Sequence, residues 1–188
     1  MSSSKVFAIL NRIDPFSAPA DELPFHEQDI RELAAVPGAE EALVAVAGDD
    51  AATPVQRYAA AEVLLEGHFA NWRSSSVDSR AVAGALAVAM RNDNAHNRWG
   101  LPGEFAGRLG DRLLSLPDGV VEALVPLLDD NAELNIEGSE AATLQAAAHY
   151  RIADLAAYLI SRYRGLPWES HVDVARRDEA IAMLQSNS

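Results

Sequence analysis

The chain has 188 residues, a formal net charge of −13 at pH 7, 49% hydrophobic residues, 23% charged residues and no cysteine. That size allows one substantial core or a short solenoid, and the missing cysteines exclude disulfides and thiolate metal sites. The acidity argues against nucleic acid and anionic membrane as direct ligands, since Lys and Arg hold both.

Residues 1–25 are expected to be irregular. Asp14-Pro15, Ala18-Pro19 and Leu23-Pro24 each disfavour helix just before the proline. Val6, Phe7, Ile9 and Leu10 suit a short strand or helix docked on a core. A helix is predicted over 26–36, with Ile30, Leu33 and Ala34 on one face and Pro37-Gly38 as its stop. The next, over 39–47, turns Leu43, Val46 and Ala47 inward and ends at Gly48. Thr53-Pro54 is a strong helix start, a capping hydroxyl followed by proline at the first helical position. Tyr58, Ala61, Leu65, Phe69 and Trp72 carry that periodicity to about residue 72. A fourth helix over 78–90 aligns Val82, Leu86 and Met90.

Residues 92–100 read as a polar loop. Pro102 opens a fifth helix, with Phe105, Leu109, Leu113 and Leu116 on one stripe, and Pro117-Asp118-Gly119 is a turn. The sixth helix, over 120–128, carries Val121, Leu124 and Leu128. After a loop over 129–139, a long seventh helix over 140–163 has Leu144, Ala148, Ile152, Leu155 and Leu159 as its buried stripe. The last covers 174–185, with Ile181 and Leu184 inward. No segment alternates convincingly with period two, so the fold class is all-α, about eight helices. Residues 26–188 are read as one helical-repeat domain.

Two junctions echo each other. Val46-Ala47-Gly48-Asp49-Asp50 leads to Val55-Gln56-Arg57-Tyr58-Ala59-Ala60-Ala61, and Leu127-Leu128-Asp129-Asp130 leads to Tyr150-Arg151-Ile152-Ala153-Asp154-Leu155. Each is an apolar helix stopping at paired aspartates, followed by an Ala-rich helix that opens on an arginine. The pattern resembles HEAT-type repeats. That resemblance implies a short right-handed solenoid of stacked antiparallel helical hairpins and a protein-binding scaffold. The second copy differs from the first by an insertion of about a dozen residues before its arginine.

Charge is unevenly placed. Nine carboxylates and one cation, Arg31, lie in 21–50, and seven carboxylates and no Lys or Arg in 113–150. The inserted loop, 129–140, partly matches a calcium loop of the EF-hand kind, with oxygens from Asp129, Asn131, Glu133, the backbone of Asn135, Glu137 and Glu140. Its sixth position is Leu134 where the sharp turn calls for glycine. The plainer reading is an acidic connector available to a partner. The loop 92–99 offers a polar rim with a Trp anchor, His96, Arg98 and Trp99, or simply turn chemistry. The five histidines (His26, His68, His96, His149 and His171) show no metal-ligand spacing. No nucleophile elbow or phosphate-cradling glycine loop occurs.

The reading is therefore a non-enzymatic protein-binding helical scaffold needing no cofactor. Its partner would be another protein with a basic surface, such as a toxin that an immunity protein neutralises. Partner-binding residues are expected at Asp129, Asp130, Glu133, Glu137, Glu140, His96, Arg98 and Trp99. The alternatives are an assembly or regulatory scaffold that binds a helix or peptide, a calcium-binding module, or a helical enzyme. The first residues lack the cationic start and apolar run of a signal peptide, and no stretch approaches the ~18 apolar residues of a membrane span. A cytoplasmic location is the expectation.

Overall fold

The computed structural model of the protein describes residues 2–17, 22, 24–66, 69, 71–169 and 171–186, leaving aside the side chains of Ser2, Ser3 and Ser139. His68 lies outside the described residues. The protein is mostly helical, with ten α-helices and one two-stranded sheet among the described residues. It divides into two compact units, one of residues 1–92 with 116–119 and one of residues 93–115 with 120–188. The sequence reading instead has one domain from residue 26.

The first unit contains α1 (Ser2–Leu10), α2 (Glu27–Ala34), α3 (Ala39–Gly48), α4 (Pro54–Leu65) and α5 (Ser76–Asn92). Residues 2–10 form a helix, one of the two options expected around residues 6–10 within the otherwise irregular stretch, with Val6, Ile9 and Leu10 buried. The start of α4 follows its local chemistry. Gln56 N donates to Thr53 Oγ1 at 3.3 Å and Thr53 N donates to Gln56 Oε1 at 3.0 Å, a reciprocal cap with Pro54 in the first turn. α4 is buried on every side from Tyr58 to Leu65, because α1, α3 and α5 all pack against it. Its run of three alanines, Ala59–Ala61, leaves room for such close packing. Gly38, left-handed at φ 70°, turns the chain from α2 into α3.

α4 ends at Leu65 rather than near Trp72. Trp72 sits on a 3₁₀ turn, Asn71–Ser74. Its indole donates to the carbonyls of Leu64 and Phe69, both at 3.2 Å, and Arg73 Nη2 donates to Leu65 O at 3.3 Å. Side chains therefore satisfy carbonyls at the end of the helix. The short piece 116–119 belongs to this unit through Ser79 Oγ, which donates to Asp118 O at 2.8 Å, and an Arg80–Asp118 ion pair at 2.9 Å.

The second unit is built on α9 (Ile152–Tyr163), buried from Ile152 to Ser161. α6 (Arg108–Leu114), α7 (Val120–Leu124) and α10 (Val174–Ser186) pack against it, and α8 (Ser139–Ala148) precedes it. Three expectations change here. Pro102 opens no helix: it follows β1 (Gly100–Leu101), which pairs antiparallel with β2 (Phe105–Ala106), and Phe105 is 39% exposed. The sixth helix stops at Leu124 and continues as a 3₁₀ turn over Val125–Leu127, since Pro126 has no N–H for the α-helical ladder.

The long seventh helix is two helices. His149 adopts a left-handed conformation at φ 50°, and Leu144 is 39% exposed rather than on a buried stripe. The reason is tertiary. Ile152 N donates to Ala132 O and Ala153 N to Asp130 O, both at 2.9 Å. Those distant carbonyls satisfy the first-turn amides of a new helix. Asp154 Oδ2 accepts from Arg151 N at 2.8 Å and completes the start.

Candidate functional site

Two loops of the second unit meet, and both were singled out by sequence. The turn after Asp93, a 3₁₀ segment at His96–Arg98, lies against the loop 129–138. His96 N donates to Asn135 O at 2.9 Å, and Asn135 N donates back to His96 Nδ1 at 2.9 Å. One step on, Asn97 Nδ2 donates to Glu137 O at 2.9 Å and Glu137 N donates to Asn97 Oδ1 at 2.8 Å. Asn135 Nδ2 also donates to Asn94 O. Side chains of His96 and Asn97 thus act in place of a neighbouring strand, fixing the backbone of 135–137.

α6 brings the turn close. A Cβ at Gly107 would overlap the carbonyl oxygens of Asn97 and Arg98, and one at Gly110 would overlap that of Trp99. Trp99, expected as an exposed anchor, is instead fully buried. Its indole donates to Asp93 Oδ2 at 2.9 Å, and Arg98 Nη1 stands 3.7 Å from the same oxygen. His96 and Arg98 are buried as well. A large aromatic gains more from the core than a polar loop offers at the surface, so these three residues support the loop from behind.

The other end of the acidic loop is held equally well. Asp130 Oδ1 accepts from Ala132 N at 3.1 Å, and Leu134 N donates to Tyr150 O at 2.8 Å. Glu133 forms a single antiparallel bridge with Arg151. Its carboxylate faces exposed His149 at 3.4 Å, Asp129 accepts from Gln185 Nε2 at 3.0 Å, and Glu137 and Glu140 are exposed. Among the described residues no three His, Asp or Glu converge as metal ligands. Leu134 is buried and does not take the positive φ that a calcium loop needs at its sixth position.

Beneath the loop lies an ion network that sequence reasoning missed. Asp154, fully buried, accepts from Arg151 Nη2 at 2.9 Å and Nε at 3.1 Å. Arg151 also reaches Asn131 Oδ1 at 3.0 Å and Asp178 Oδ1 at 2.6 Å. Its guanidinium pKa is raised, chiefly by hydrogen bonding to Asp154; burial opposes this and Asp178 adds to it. Arg177, buried completely, lies 3.2 Å from Asp154 Oδ1 through Nε, an ion pair without hydrogen-bond alignment. It donates to the carbonyls of Ala148 at 2.9 Å and His171 at 2.7 Å and stacks 4.9 Å from the Tyr150 ring. An arginine at the end of α8 is favoured by the helix dipole. Arginines gather toward the C-terminal end of the sequence, at Arg151, Arg162, Arg164, Arg176 and Arg177, and that is the one signal available; it does not identify which of them is buried.

A groove of about 650 Å³ runs beside α10, lined by Leu166, Trp168, Arg176, Met183 and their neighbours. No described helix is long and apolar enough to cross a membrane. No family model, curated protein or solved structure matches the chain.

Proposed function

We propose that this chain is a non-enzymatic, HEAT-like α-solenoid that binds a basic protein through the acidic loop 129–140, as an immunity or inhibitor protein does. One observation carries the reading. The backbone of 130–137 is tied down at both ends by hydrogen bonds, while Asp129, Glu133, Glu137 and Glu140 face solvent. A carboxylate array that is already ordered loses little entropy on binding and steers a cationic partner at long range. The repeat reading is supported at the first junction, where Arg57 donates to Asp50 Oδ1 at 2.9 Å and to Ala47 O at 3.0 Å. At the second junction, Arg151 reaches Asn131. The proposed setting is the cytoplasm.

Affinity capture from the native host tests this. A variant carrying D129N, E133Q, E137Q and E140Q should lose the captured protein. The wild-type complex should weaken steeply between about 50 mM and about 500 mM salt. Capture that survives both changes refutes the acidic-loop reading.

A second reading is a scaffold for an amphipathic helix, favoured by the groove beside α10, where Met183 is 67% and Leu166 46% exposed. Met183→Glu should abolish capture in that case and leave it intact in the first.

A further inference from the structure

We propose that His96 is a pH-sensitive clip that holds the acidic loop closed when neutral and releases it when protonated. The geometry is specific. Nδ1 of His96 accepts the backbone N–H of Asn135 at 2.9 Å, so that nitrogen carries no proton in the closed arrangement. Adding a proton there sets two donors against each other across the same gap. The ring is buried, so water cannot easily replace the lost acceptor, and the bond must open. The reciprocal bond from His96 N to Asn135 O spans the same two residues. Losing one member therefore strains the other, and the Asn97–Glu137 pair follows directly along the loop.

The surrounding charges act in both directions. On the clip's own turn, the Asp93 carboxylate favours a charged imidazole and Arg98 opposes it, the two lying 3.7 Å apart. α6, which packs on the turn, brings Arg108, Asp111 and Arg112. The loop itself contributes Glu137 two residues beyond Asn135, and Glu133, which faces His149 of the α8–α9 joint at 3.4 Å. Charging His149 would strengthen its attraction to Glu133, the opposite of release, so it does not mimic the clip.

The sign follows from linkage. The closed clip takes no proton at Nδ1 and the released histidine does. Closure is therefore complete above the ordinary histidine value of about 6.5 and is lost as pH falls below it. The device would let an acidic compartment or surface loosen the display of carboxylates. It does not depend on what the loop binds.

Residue-resolved amide exchange on the full chain tests it. Relative to intrinsic rates, protection at the Asn135 and Glu137 amides should fall at least about tenfold between pH 7.5 and pH 5, one acidic-side histidine titration. Ile160 in α9 should keep its protection over the same range. In His96→Asn, the side-chain oxygen replaces Nδ1 as acceptor and does not titrate, so the loop should stay protected at both pH values. In the wild type, the ¹⁵N shift of His96 Nδ1 should report an unprotonated nitrogen at pH 7.5 and titrate in step with the Asn135 amide. This readout needs no variant. Loop protection unchanged at pH 5, equal loss in His96→Asn, or loss shared by Ile160 would each overturn the proposal.

Discussion

Replacing Arg177 by methionine should detach α10 from the second unit. Arg177 is fully buried, and methionine conserves most of its apolar volume, so the change isolates the polar contacts. Three close bonds to carbonyls are lost: His171 at 2.7 Å, Ala148 at 2.9 Å and Val172 at 3.2 Å. At ~1 kcal/mol net each they account for about 3 kcal/mol. Breaking a buried ion pair usually costs ~3–5 kcal/mol because a charge is left alone. Asp154 is not left alone, since Arg151 still holds both its oxygens, at 2.9 and 3.1 Å. The expected loss is therefore about 3–4 kcal/mol, near the lower end of that range. Asp154→Leu should cost more, about 5 kcal/mol, because it takes the carboxylate away from the fully buried Arg177 and removes the acceptor of Arg151 N, even though the Arg151 guanidinium keeps Asp178 at 2.6 Å. The double variant should fall short of the summed costs by more than ~1 kcal/mol, since the two residues share one network. Amide exchange in α9 and α10 reads the second unit alone. A loss under ~1 kcal/mol for Arg177→Met would show that its contacts carry little stability, and simple additivity in the pair would show that the two residues are not coupled through one network.

Two further outcomes follow from local features. His149→Gly should stabilise the second unit by about 0.5 kcal/mol in denaturant titration. It relieves a left-handed residue at φ 50° at ~1 kcal/mol and gives back part of that to unfolded-state entropy. The lost contact to Glu133 is exposed and weighs little; a destabilisation would mean that the His149 side chain matters after all. In the first unit, Arg12 donates to Glu32 Oε2 at 2.7 Å and to Asp29 Oδ1 at 3.0 Å. The Arg12 hydrogen bond, with help from Gln28, holds the Glu32 carboxyl below its usual value of 4.5. Its small contribution is thus present above that value and fades as pH falls through the lowered one. Carbon-detected titration should show Glu32 moving up toward 4.5 in Arg12→Ala, and an unmoved Glu32 would rule out this pair as the cause.

Several features were readable from the chain alone. Thr53-Pro54 marked the start of α4 because a cap is made within three residues. Leu43 and Val46, Leu109 and Leu113, and Leu155 and Leu159 were recognised as inward because burial follows the helical period. The two loops of the candidate site were found by their polarity and charge, but not their contact. Nothing in Asn97 announces that its amide will pair with the backbone of Glu137, distant along the chain. Trp99 was misplaced for a related reason: a tryptophan in a polar stretch suits an interface or a core equally, and only the Asp93 acceptor decides between them.

By itself the sequence determined that the protein is helical, where most helices begin, and which stripes are buried. These depend on propensity, caps and periodicity within a turn or two of chain. Tertiary structure alone decided the breaks. The periodic stripe runs unbroken from Leu144 to Leu159, and a lone helix would follow it. The carbonyls of Asp130 and Ala132 give the amides of Ile152 and Ala153 a better partner than the preceding turn, and the buried Asp154 fixes the new start. Hydrogen-bond partners remote in sequence outweighed a local pattern, and the same exchange ties the acidic loop to the core.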